Sequence, residues 1–237
     1  MPPSVDLLPL ALPGHDGRLK QPLATDLKVL AKDLCEELSR HALDRPFVIL
    51  GHSMGGLLAH EIARALRRAG HSMPRMLVLS GCRPPHTIVV KEPIHGLPDA
   101  EFVAVLQERY GGMPPAVRDN PELQALLLPA LRADFQMIET YHCDDEPALD
   151  VPMLVLGGTE DPAVSASHLM EWRRYTTQDC SVRLLPGGHF FVFSTGAATP
   201  SATSAKLETP TAALRIVLTQ LEHIVTAVSM VKEEQGG

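Results

Sequence analysis

The stretch Pro46-Phe-Val-Ile-Leu-Gly-His-Ser-Met-Gly55 decides the fold. Its first half, Pro46–Leu50, is a short apolar run bounded by a turn signal, which predicts a buried strand. Its second half runs into Met54–Ala69, where Leu57, Leu58, Ile62 and Leu66 recur at helical spacing and Gly70 supplies the C-cap. Strand, tight Gly-x-Ser-x-Gly turn and helix follow without a spacer. The same alternation continues outward. Thr25–His41 reads as a helix, with Asp26 near its start and Leu27, Leu30, Ala31, Leu34 and Leu38 on one face. Met76–Leu79, Met153–Leu156 and Ser181–Leu185 read as strands, and Val5–Leu12 reads as a first strand in spite of Pro9. Strands alternating with helices predict an α/β architecture around a mostly parallel sheet.

Between residues 84 and 147 the strand rhythm stops. Helices are expected over Pro98–Arg109 and the leucine-rich Pro121–Tyr141, with a Gly-Gly-Met-Pro-Pro break from Gly111 between them. A helical insertion of this size between core strands suits a lid. Thr195–Thr209 is a Ser/Thr/Ala/Pro-rich loop, and Thr211–Val231 is expected to be a final helix with a stripe from Leu214 to Val228. The whole chain of 237 residues is read as one domain.

Composition excludes more than it identifies. A formal charge of −7 argues against a nucleic-acid groove, which needs a basic surface. Arg215, Gln220, Glu222 and His223 interrupt the longest apolar stretch, so no membrane span is expected. Cys35, Cys82, Cys143 and Cys180 are scattered, with no Cys-x-x-Cys pair, which suits a reducing compartment. No secretory signal is visible, and the cytoplasm is the expected location.

The Gly51–Gly55 turn has the form of a nucleophile elbow. A serine on so tight a turn needs strained backbone angles, and glycine is expected on both sides to avoid clashes. The helix that follows aims its free N–H groups at the reacting centre, and the Met54 N–H is a candidate oxyanion donor. A nucleophilic serine needs a base and the base an orienting carboxylate. Met153–Leu156 leads into Gly157-Gly-Thr-Glu-Asp161-Pro162, and Ser181–Leu185 leads into Pro186-Gly-Gly-His189. Asp161 and His189 are therefore expected beside Ser53 at the carboxyl ends of parallel strands, where open α/β sheets build their sites. Glu160 is a competitor for Asp161, and His52 is expected to pack or bond locally rather than act as the base.

Together Gly51–Gly56 (GHSMGG), Ser80–His86 (SGCRPPH), His95–Phe102 (HGLPDAEF), Leu126–Phe135 (LLLPALRADF), Gly157–Val164 (GGTEDPAV) and Pro186–Val192 (PGGHFFV) resemble the type II thioesterases of polyketide and nonribosomal peptide synthesis. The resemblance implies the α/β-hydrolase fold with a helical lid over residues 84–147. It implies Ser53 as nucleophile, His189 as base and Asp161 as its orienter. It also implies hydrolysis of acyl thioesters on the phosphopantetheine arm of carrier-protein domains. No metal or nucleotide is required, and the phosphopantetheine belongs to the substrate. Because carrier proteins are acidic, a basic docking face is expected, with Arg64, Arg67, Arg68, Arg173 and Arg174 as candidates.

Members of that family begin with a further strand and a glycine-rich loop that gives the second oxyanion donor. The chain as it stands has no counterpart of these, which would leave a gap between Val5–Leu12 and the serine-bearing strand. Either Val5–Leu12 shifts to close it or the true start lies upstream of Met1, the second being expected. Turnover of the chain as it stands is expected to be weak. Losing one oxyanion donor costs about 10²–10³ in rate. His15 stands where the family carries arginine, and Thr195–Thr209 is an added segment. A general serine esterase or lipase, and a truncated carrier-binding relic without turnover, are the alternatives.

Overall fold

The computed structural model describes residues 5–41, 45–90, 92–110 and 115–193. The expected loop at 195–209 and final helix at 211–231 lie outside the described residues.

Helix α1 (Leu27–His41) begins where Asp26 Oδ1 accepts the N–H groups of Lys28 at 2.8 Å and Val29 at 3.0 Å. That satisfies two of the orphan donors of a helix start. Strand β1 (Ile49–His52) turns at Ser53 into α2 (Met54–Ala69), which Gly70 ends in the left-handed conformation at φ 70°. Strand β2 (Leu77–Ser80) precedes the helical insertion α3 (Asp99–Tyr110), α4 (Pro115–Arg118) and α5 (Pro121–Glu139). Strand β3 (Met153–Gly158), the short α6 (Ala166–Met170) and β4 (Cys180–Leu185) complete the described elements.

The four strands form one parallel sheet in the order β1-β2-β3-β4, with Ile49 opposite Leu77, Leu77 opposite Met153, and Met153 opposite Cys180. Parallel neighbours cannot be joined by a tight turn, so each connection carries helix. All four carboxyl ends consequently lie at one edge. The main core joins α1 and α2 to one face of the sheet through Leu30, Leu34, Ile62, Leu66, Leu77, Leu79 and Val155. Val78, Leu154, Leu156 and Phe191 cluster on the other face. The insertion has a small core of its own: Ile94, Phe102, Leu106 and Leu128.

Val5–Leu12 is not a strand. It runs as irregular chain, with Leu7 and Leu8 exposed. Pro9 cannot donate to a ladder, and no described strand lies beside it to pair with. On the far side of the serine-bearing strand, where a further strand is expected to be missing, no described strand pairs with β1. The four described strands are contiguous, and β1 is an edge strand of their sheet.

Candidate active site

Ser53 sits between β1 and α2 at φ 55° and ψ −121°, a region that a non-glycine residue occupies only under constraint. The turn is tied to β2 by the Ser53 N–H, which donates to the Ser80 carbonyl at 2.8 Å. The glycine requirement is confirmed on one side only. A Cβ on Gly51 would lie 1.9 Å from the Gly55 carbonyl oxygen, whereas one on Gly55 would meet nothing within 4 Å among the described residues. The second crowded position is Gly56, where a Cβ would approach the Cys82 Cβ at 2.7 Å. Helix α2 thus packs against Cys82, two residues past the end of β2, one position later than the motif suggests.

The loops after β3 and β4 bring the other two side chains to this turn. The Ser53 Oγ is 3.0 Å from His189 Nε2, and His189 Nδ1 is 2.8 Å from Asp161 Oδ2. A carboxylate can only accept, so Nδ1 carries the proton and Nε2 accepts from the serine hydroxyl. The other oxygen of Asp161 accepts the N–H groups of Ala163 at 2.8 Å and Val164 at 3.1 Å. Burial raises the Asp161 pKa, but the His189 hydrogen bond and charge and these two backbone donors outweigh it, leaving the carboxyl below its ordinary range. Glu160 is exposed and makes no side-chain contact with His189. Met54 opens α2, so its N–H is one of the free donors of the helix start beside the serine.

His52 packs rather than reacts, as expected. Its Nδ1 lies 3.0 Å from Ser80 Oγ, and its ring centroid is 5.1 Å from that of His189. Burial, then the neighbouring His189, lowers its pKa to about 4, so it is neutral at ordinary pH. A cavity of about 680 Å³ opens over Ser53 and His189. Met54, Leu57, Ile88 and Ile138 give it apolar walls, while Arg83 and Arg109 also line it. The charged members gave no sequence signal, because nothing in their spacing ties them to the elbow.

The arginine cluster on α2 is held by carboxylates of the same molecule, and Arg64 lies inside it. Arg64 is 2% exposed and holds Glu61 at 2.8 Å and Glu146 at 2.9 Å. Arg67 and Arg68 each reach Glu146 at 2.7 Å. These side chains clamp α2 to the segment after α5, three cations sharing the carboxylates of Glu61 and Glu146. Arg174 pairs with Glu171 at 2.8 Å, and Trp172 is fully buried. His15, by contrast, does meet the insertion. Its Nε2 is 3.0 Å from Asp134 Oδ2 on α5, and the charge and hydrogen bond of Asp134 raise the imidazole pKa against the opposing effect of burial.

A parallel α/β sheet that presents a serine elbow and a Ser–His–Asp chain at its carboxyl edge defines an α/β-hydrolase. The chain belongs to the thioesterase-domain family, which it matches over residues 1–206. Among curated proteins it is 39% identical over 197 residues to the linear gramicidin dehydrogenase LgrE of Brevibacillus parabrevis, covering 82% of this chain and 74% of that protein. Among solved structures it is similar to the RedJ thioesterase of the prodiginine pathway of Streptomyces coelicolor, at 36% identity and a TM-score of 0.73, over 78% of this chain and 72% of that one. It is also similar to YbtT, a type II thioesterase from the yersiniabactin pathway, at 35% identity and a TM-score of 0.68, over 76% and 73%. No helix among the described residues is long and apolar enough to cross a membrane.

Proposed function

We propose that the chain hydrolyses acyl thioesters carried on the phosphopantetheine arm of carrier-protein domains, in the service of a peptide or polyketide synthase. The observation that carries this reading is the hydrogen-bonded Ser53–His189–Asp161 chain at the floor of a large cavity in a member of the thioesterase family. Solved relatives named as thioesterases of such pathways supply the substrate class.

Ser53 Oγ attacks the thioester carbonyl as His189 Nε2 takes its proton, and the Met54 N–H receives the developing oxyanion. The C–S bond breaks, the sulfur leaves with the proton from His189, and the acyl group remains on Ser53. His189 then takes a proton from water as the water attacks the ester. The acid departs and Ser53 recovers its proton. Asp161 keeps Nδ1 protonated throughout and stabilises the imidazolium. The protein needs no cofactor of its own for these steps.

The redox activity in the LgrE name does not suit this chain, whose sequence contains no Gly-x-Gly-x-x-Gly segment. A general serine esterase would use the same three side chains on oxygen esters. Comparing kcat/KM for an acyl carrier-protein thioester with that for a p-nitrophenyl ester of the same acyl group separates the two. The thioester is expected to be favoured by at least tenfold, and a preference for the oxygen ester would overturn the reading. A fluorophosphonate probe should label Ser53, and failure to label the folded protein would favour a non-catalytic carrier binder.

A further inference from the structure

Three aromatic rings surround the imidazole of His189: Tyr110 at 5.1 Å between centroids, His52 at 5.1 Å and Phe190 at 5.2 Å. His52 and Phe190 adjoin Ser53 and His189 in sequence and travel with the sheet loops. Tyr110 is different. It is the last residue of α3, and it belongs to the insertion, whose apolar core is separate from that of the sheet. Its ring also meets Phe135 of α5 at 5.4 Å, and Phe135 meets Phe102 edge-to-face at 5.7 Å. A continuous run of rings therefore leads from the core of the insertion to the imidazole.

We infer that Tyr110 is a positioning residue, through whose ring the helical insertion holds His189 in line with Ser53. The inference rests on the triad proposed above. Asp161 fixes one end of the imidazole through Nδ1, but the bond from Ser53 to Nε2 is given up as the proton moves. From that moment only packing on the ring keeps Nε2–H aimed at the departing sulfur. An inclined aromatic pair favours one mutual orientation, and the Tyr110 and His189 planes meet at 62°. No described hydrogen bond joins the Tyr110 hydroxyl to His189, so the ring rather than the hydroxyl does the holding.

The test uses the full chain with Tyr110→Phe, Tyr110→Leu and Tyr110→Met. Turnover of an acyl thioester and the rate of fluorophosphonate labelling at Ser53 are read in each. Tyr110→Phe should stay within twofold of the parent. The Leu and Met variants should lose about three- to tenfold in kcat and in labelling rate, with KM within about twofold. A fall of Phe as deep as that of Leu and Met would overturn the inference, as would a KM effect with kcat unchanged. The decisive comparison places Tyr110→Leu in a His189→Ala background, with probe concentration and time raised until the residual labelling of His189→Ala itself is measurable. There it should add nothing to the labelling defect, and an equal further loss would show that the ring does not act through His189. Retained turnover in Ser53→Ala or His189→Ala would overturn the triad and this inference with it. Full loss in both, with an unaffected Tyr110→Leu, overturns this inference alone.

Discussion

Replacing Arg64 by methionine should cost the fold dearly while leaving substrate affinity alone. Glu61 is fully buried, and its Oε1 accepts from Arg64 at 2.8 Å and from the Tyr141 hydroxyl at 2.8 Å. Among the described residues the other charged neighbour is Arg68, 3.8 Å from Oε2, an oxygen with no hydrogen-bond partner there. His60, also 3.8 Å from the carboxylate, is neutral at ordinary pH. Arg64 also donates to the Asp144 carbonyl at 2.8 Å, so one side chain ties α2 to the segment that follows α5. Removing one partner of a buried ion pair costs about 3–5 kcal/mol, because the other charge stays buried without compensation. With a urea slope of about 2 kcal/mol per molar, the unfolding midpoint should fall by roughly 1.5–2.5 M. The double variant Glu61→Leu, Arg64→Met removes both charges and should be less destabilised than Arg64→Met alone, since apolar replacement of an ion pair is often neutral. Circular dichroism in urea reads both. A single variant within about 1 kcal/mol of the parent, or a double variant as damaged as the sum of its parts, would refute the account. A raised KM for a carrier-bound thioester with stability unchanged would instead favour a docking role.

Two other expectations are specific to this molecule. Gly51→Ala should disrupt the elbow, because its methyl would sit 1.9 Å from a backbone oxygen, while Gly55→Ala should fold and keep its stability within about 0.5 kcal/mol; equal tolerance at both would contradict the turn geometry. Acid should destabilise the fold through His52 and His60, whose pKa values are lowered from 6.5 to about 4 and about 3, mainly by burial. Below pH 6.5 the unfolded chain binds protons that the folded chain refuses, so stability falls as pH drops towards those values, by about 2 kcal/mol per histidine at pH 4.5. Urea midpoints across this range should decline less in His60→Gln, and an unchanged slope would contradict the assignment.

The parts of this structure that were legible in the sequence are those fixed by short-range chemistry. The helix from Met54 to Ala69 is bounded by a serine elbow and a left-handed Gly70, and both ends are where the residues put them. Ser53, Asp161 and His189 each follow an apolar run at a strand end, so chain order and topology brought them together. Boundaries drifted where hydrogen bonding rather than side-chain pattern sets the limit. Strand β1, for instance, starts at Ile49 and continues through the polar His52. Val5–Leu12 failed because strand propensity has no meaning without a ladder partner. The Glu61–Arg64 pair could be read from its three-residue spacing on α2, but nothing in the sequence shows that Glu146, many residues later, folds back to meet Arg64, Arg67 and Arg68. Tyr110 carried no motif at all. Its place against His189 depends on how the insertion packs, which local pattern does not encode.

The central claim is that Ser53 carries the acyl group during turnover. Mixing the protein with an acyl carrier-protein thioester and quenching within the first turnover should give a mass increase equal to the acyl group, located on Ser53 by peptide mapping. His189→Ala should abolish the adduct and Ser53→Ala should lose both adduct and hydrolysis. Hydrolysis that persists in Ser53→Ala, or an adduct on any other residue, would contradict it.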